Sequence, residues 1–237
     1  MTTRFLALLA LFSLSGFLLS EQEPALTPFS EMQSLGDGWE PLEFPKIDQL
    51  TRYELVAEDG KQVVRATTRG GASGLIARVN LQPSDSLVLQ WRWKVSNVFD
   101  QGDAREKSGD DYPARIYVAF EFQPEKAGFF ERAKRKAVEL LFGETLPGNA
   151  LNYIWANTLP EGEFVPNPYT EKTVMVAVNS GSEQIGEWVT IKRDIVADYR
   201  KAFGEAPPPL VGIAIMSDSD NTNEAATAWY GDIVLNP

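Results

Sequence analysis

The chain has 237 residues, 43% of them hydrophobic, with six Trp and thirteen Phe; 22 basic and 33 acidic side chains leave a net charge of −11. It contains neither Cys nor His, which excludes disulfides, thiolate or imidazole catalysis and Ser-His-Asp triads, and leaves a hard, oxygen-loving cation such as calcium as the natural metal. The acid excess argues against a nucleic-acid groove, which draws on clustered Lys and Arg.

The start, Met1-Thr-Thr-Arg4, leads into an apolar run from Phe5 to Leu19 and then Ser20-Glu21-Gln22-Glu23-Pro24. One positive charge, a short hydrophobic run and an abrupt polar boundary make residues 1–20 a signal peptide. The run is short for a spanning helix, which needs about 20 apolar residues; an uncleaved N-terminal anchor is the alternative. No Cys follows to carry a lipid. Cleavage after Ser20 removes Arg4 and no acid, leaving 21 basic and 33 acidic side chains. A soluble periplasmic or secreted protein is expected, without stable membrane insertion after cleavage. Residues 21–35 read as a loose leader and 36–237 as one domain, a size that sandwiches and barrels commonly reach.

Along the domain, SLVLQWRWKV from Ser86 to Val95 sends Leu87, Leu89, Trp91, Trp93 and Val95 to one face and Arg92 and Lys94 to the other. That period of two marks a half-buried strand. ARIYVAFEF from Ala114 to Phe122 repeats it, with Ile116, Val118, Phe120 and Phe122 inside. Further strands are expected at 63–67, 74–79, 151–156, 173–179, 187–193, 210–216 and 227–235, separated by turns such as Gly70-Gly71 and Pro207-Pro-Pro209. Two helices interrupt them. Phe129 to Phe142 has an apolar stripe and a basic side of Arg132, Lys134, Arg135 and Lys136. The second follows Asp194 as cap, with Ile195, Tyr199 and Phe203 buried, and stops at Gly204. The basic side is a solvated face or a membrane contact. Many short strands and few helices predict an all-β fold with minor helices, a two-sheet antiparallel β-sandwich of jelly-roll type.

Two acidic loops could carry chemistry. Gly109-Asp-Asp-Tyr-Pro-Ala-Arg115 is either a ligand or calcium loop at Asp110 and Asp111, or an ion-paired turn neutralised by Arg115. Asp218-Ser-Asp220-Asn-Thr-Asn-Glu224 has the dense short oxygen side chains that calcium requires, yet also ordinary turn formers. It is not an EF-hand, because Asn223 stands where the Gly belongs and Trp229 where the bidentate Glu should be. A bound ion would be calcium, held by Asp218 and Asp220 or by Asp232. Outside the alternating strand lie Trp39, Trp155, Trp188 and Trp229. An exposed indole is a flat plate for a sugar ring, and Asn152 with Trp155, and Trp188, are the candidates; core packing is the competing assignment. No alternating carboxylate triplet marks a catalytic pair, and no catalytic residue is assigned.

WRWKV at 91–95, GDDYPARIYVAFEF at 109–122, LNYIWAN at 151–157, and the run from Trp188 through DIVADYRKAFGEAPPPLVGIAIMSDSDNT to YGDIVL at 230–235 together resemble the bacterial family of domain of unknown function 3047. The resemblance covers nearly the whole chain beyond the signal and implies an exported bacterial protein, without site residues. The closing Trp229-Tyr-Gly-Asp-Ile233 is similar to the last strand of carbohydrate-binding jelly-roll modules, in which an Asp often ligates a structural calcium. The expected function is non-catalytic binding of a carbohydrate or envelope glycan. The alternatives are a glycan hydrolase or lyase using Asp110, Asp111, Asp218 and Asp220, and a structural envelope subunit.

Overall fold

The computed structural model describes residues 26–45, 47–129, 132 and 147–236. Two β-sheets pack face to face. In chain order the strands are β1 (Glu40–Leu42), β2 (Arg52–Glu58), β3 (Lys61–Arg69), β4 (Ala72–Leu81), β5 (Val88–Val95), β6 (Arg115–Phe120), β7 (Ala150–Ala156), β8 (Phe164–Asn167), β9 (Thr170–Ser180), β10 (Val189–Asp194), β11 (Leu210–Asp218), β12 (Ala225–Tyr230) and β13 (Val234–Asn236). Helix α1 (Ile195–Phe203) lies between β10 and β11. One sheet runs β1-β4-β11-β6-β7-β9-β8 and the other β10-β5-β12-β3-β2, with β13 on β5. The fold is the mostly-β sandwich of jelly-roll type that the alternation predicts.

Every described pairing is antiparallel except β7 with β9. The chain leaving β7 forms β8 before returning as β9, and β9 takes the inner place beside β7 while β8 lies at the edge. The expected strand at 227–235 is two strands, because Gly231 to Ile233 leave the ladder between β12 and β13.

The core lies between the sheets. Leu89, Trp91, Trp93 and Val95 of β5 meet Ile116, Val118 and Phe120 of β6 and Leu151, Tyr153 and Trp155 of β7, all essentially without solvent contact. Trp91 lies 5.3 Å from Tyr153 and Trp93 lies 6.0 Å from Trp155 in tilted ring contacts. Such pairs contribute about 0.5–1.5 kcal/mol beyond the area they bury.

Helix α1 closes one end. The Asp194 carboxylate accepts from the Val196 and Ala197 amides, and Gly204, at φ 74°, ends the helix in the left-handed conformation that a side chain disfavours. Tyr199 sits 4.5 Å from Phe120; Ile195 and Tyr199 of the expected stripe are buried, while Phe203, at the helix end, is only partly so.

Two expectations need amendment. The leader expected to be loose is packed where it is described: Leu26, Phe29 and Met32 are buried in the main core beside Trp39, and Ser30 donates from its amide and hydroxyl to Asp232 at 2.8 and 2.7 Å. The helix expected over Phe129 to Phe142, with its basic side, lies outside the described residues apart from Phe129 and Arg132. Among the described residues, no helix is long and apolar enough to cross a membrane.

Candidate functional site

The two acidic loops meet at one end of the sandwich because β6 and β11 are neighbours. Their register sets Arg115 opposite Met216, so Asp110 and Asp111, just before β6, lie beside Asp218, at the end of β11. Arg115 is buried and donates through Nη2 to Asp218 Oδ2, while Nη1 stands 3.9 Å from Asp110 Oδ1. Asp110 Oδ2 accepts from Asn167 Nδ2 at 2.9 Å. Asp111 accepts from the Thr222 amide at 2.6 Å and from the Asn221 amide and side chain, which ties one loop to the other.

Two carboxylates, Asp218 and Asp110, therefore face one guanidinium, with Asp111 and Asp220 close by. Oxygens of Asp111, Asp218 and Asp220 come within 4.8 Å of one another. Burial pushes the Asp218 carboxyl well above its ordinary range against the pull of Arg115, and partial desolvation with the neighbouring Asp111 charge raises Asp220, the exposed member of the group. Asp110 is raised too, chiefly by burial. Asp110 Oδ1, the Tyr112 hydroxyl, Arg115 Nε and Nη1, and Asn152 Oδ1 are sealed in without a hydrogen-bond partner. Atoms this deep bear on stability, since each unsatisfied buried group costs about 1–3 kcal/mol, and a polymer cannot reach them. Asp111, Asp218 and Asp220 are the oxygens suited to a hard cation such as calcium. Asp232 is not with them; both of its oxygens serve the Ser30 clasp.

The tryptophans divide by face. Trp39, Trp91, Trp93 and Trp155 are 0–1% exposed. Trp155 donates to the Gly181 carbonyl at 3.1 Å, and Asn152 is buried against Met175. The LNYIWAN pair is therefore core, because loops cover even the outer side of β7. Trp188 and Trp229 are half-exposed, on the outer face of the six-stranded sheet.

There the indoles frame two cations of β5. The Arg92 guanidinium lies 4.3 Å from the Trp188 ring centre, and Lys94 Nζ lies 5.3 Å from Trp188 and 4.7 Å from Trp229. Trp188 also donates to Asp59 at 2.9 Å, and Lys94 pairs with Glu58. Gly231 permits this arrangement: a Cβ there would stand 2.5 Å from Arg92 Cγ, so the Arg92 side chain crosses the space that the glycine leaves.

A hollow of about 280 Å³ opens elsewhere, between Leu35, Trp39, Leu50 and Leu75. Its hydroxyls, from Thr51 and Tyr53, are already bonded to the Ser217 and Ser73 carbonyls, so it offers a sugar little to bond.

The model of the family described as "protein of unknown function (DUF3047)" matches residues 37–234. The chain belongs to this family. No curated protein matches this DUF3047 chain. Among solved structures it is similar to the carbohydrate recognition domain of Emp47p, at 11% identity over 89% of this chain and 93% of that one, with a TM-score of 0.42. It is also similar to the tailspike protein 4 of bacteriophage CBA120, at 8% identity and TM-score 0.41, over 84% of this chain but only 19% of the tailspike chain. A third is TmCBM61 in complex with β-1,4-galactotriose, at 10% identity, TM-score 0.38, and 89% and 98% of the two chains.

The residues of the DUF3047 chain that sequence reasoning passed over as a site are Arg92, Lys94 and Trp229. Their signal was present in the alternation of β5, which sends Arg92 and Lys94 outward, but pairing Trp229 with Lys94 requires the β5–β12 register.

Proposed function

We propose that this DUF3047 protein is an exported, non-catalytic glycan-binding protein that holds sugar rings against the outer face of the six-stranded sheet. One observation carries the reading. Of six tryptophans, the two that retain exposure, Trp188 and Trp229, share one rigid sheet face and flank fixed polar groups. An indole presents a flat apolar plate to the C–H side of a sugar ring, while Lys, Arg and Thr beside it bond the hydroxyls. A preformed sheet face also loses little conformational entropy when it binds.

A glycan array probed with the mature chain, followed by titration of the best hit, tests this. Trp229→Ala and Trp188→Ala are each expected to weaken binding about tenfold, the size of a stacking contribution, with the urea unfolding midpoint little changed. Reducing-sugar assays on the same glycans separate the other readings. Turnover would favour a hydrolase or lyase built on Asp110, Asp111, Asp218 and Asp220; silence in both assays would favour a structural subunit. Export is tested by mass spectrometry of the mature N-terminus, where an intact Met1 in the membrane fraction would refute it.

A further inference from the structure

We propose that the glycan bound on this face is an acidic polysaccharide, one bearing carboxylate groups spaced along its sugar chain. The inference rests on the glycan-binding reading above and adds the ligand's charge. Strand alternation and register place Arg92, Lys94 and Lys192 of β5 and β10 on the outer face of the six-stranded sheet. Lys61, Arg65 and Arg69 of β3 and Arg52 of β2 join them, against Glu54, Glu58 and the helix-capping Asp194 from the strands of that face. A chain with net charge −11 thus concentrates cations on one side.

Part of this charge is matched internally: Glu54 pairs with Arg52 and Arg65, and Glu58 with Lys94. Among the described residues, Lys61, Arg69, Arg92 and Lys192 form no ion pair, so the face keeps a surplus that only a ligand would neutralise. Arg92 is the best placed of them. Its guanidinium lies 4.3 Å from the Trp188 ring centre, and arginine favours a carboxylate in a two-pronged geometry. Lys94, fixed between the two indoles, marks the strip along which the sugar rings would stack. On a sheet, same-face neighbours stand about 7 Å apart along a strand and about 4.8 Å apart between strands. The positive charges are thus spread as points over a surface rather than drawn into a dense line.

That spread, with the acidic body behind it, also says what the ligand is not. Duplex DNA carries a charge about every 1.7 Å and would feel repulsion from the rest of the molecule. A sparsely charged polysaccharide senses mainly the groups within a Debye length of about 8 Å.

The experiment uses the intact mature protein and an array of neutral polysaccharides beside uronate-bearing ones, including polygalacturonate, alginate and hyaluronan, with duplex DNA and anionic phospholipid vesicles as comparators. Hits are re-titrated as native and carboxyl-reduced polymers at low and high salt. The proposal expects binding to at least one uronate polymer, lost on carboxyl reduction and weakened by salt. Charge reversal at the exposed, unpaired Lys61→Glu and Lys192→Glu is expected to weaken it about tenfold while unfolding stays unchanged. Neutral polymers bound as well as acidic ones, without salt dependence, would overturn the acidic assignment and leave glycan binding standing. Binding to no polysaccharide would overturn both. DNA or vesicles bound as tightly as the uronates would overturn the assignment in favour of a general polyanion face.

Discussion

Arg115 and the aspartates around it show how much one buried residue can organise. Replacing a buried ion pair by apolar groups is often harmless, but removing one partner is costly, so the acidic end is held by a balance in which anions outnumber the cation. That imbalance sets a pH dependence. Asp110 and Asp220 have folded pKa values raised above the unfolded value of about 3.9. The folded state therefore holds their protons more tightly, and stability should fall as pH rises through those raised values. Asp37, Glu54 and Asp194 are held low by the hydrogen bonds they accept; what they contribute is lost as pH falls below about 4. Maximal stability is expected in the mildly acidic range. Asp220→Asn should raise Tm near pH 8 and flatten the profile, read from thermal melts at a series of pH values. The same melts in calcium and in chelator, with magnesium as control, add a second readout. A calcium-dependent rise in Tm that the variant loses would identify Asp111, Asp218 and Asp220 as a cation site; no difference would leave them as ion-paired turn residues.

Among the elements, legibility followed solvent exposure. β5 and β6 could be read directly because one face of each is buried and the alternation is unbroken. β2, RYELVAE, is half-exposed on both sides at the edge of the six-stranded sheet, and β8 carries Pro166 at an edge of the seven-stranded one, so neither has the alternating pattern of a covered strand. The two acidic loops were visible as candidates, but their union depends on β6 pairing with β11. Trp155 and Trp229 look alike in sequence, and only the face each takes, inward against Trp93 for Trp155 and outward beside Lys94 for Trp229, tells core from surface. Helix α1 could be read from its cap alone, and the cap is testable: Asp194→Ala is expected to cost about 1 kcal/mol in urea unfolding. Because Asp194 also accepts from Ser86 at 3.0 Å, Asp194→Asn should recover part of that loss.

At the scale of the molecule, each sheet face has its own use. The inner faces make the core, loops cover the β7–β9 part of the seven-stranded sheet, and the outer face of the six-stranded sheet is left to solvent with its indoles and cations. The leader belongs to this plan, since Phe29 packs 4.8 Å from Trp39 inside the main core. Asp232→Ala removes both clasp bonds from Ser30 and is expected to speed amide hydrogen exchange in residues 29–33 while the central strands keep their protection.

The clasp joins positions 202 residues apart, and β4 pairs with β11 and β3 with β12 across similarly long stretches of chain. A fold closed by contacts so distant along the chain assembles slowly, because loop closure must precede the reward of contact. Ser30 and its neighbours cannot close their clasp until the stretch around Asp232 has been made, so the domain cannot complete its fold while that stretch is missing.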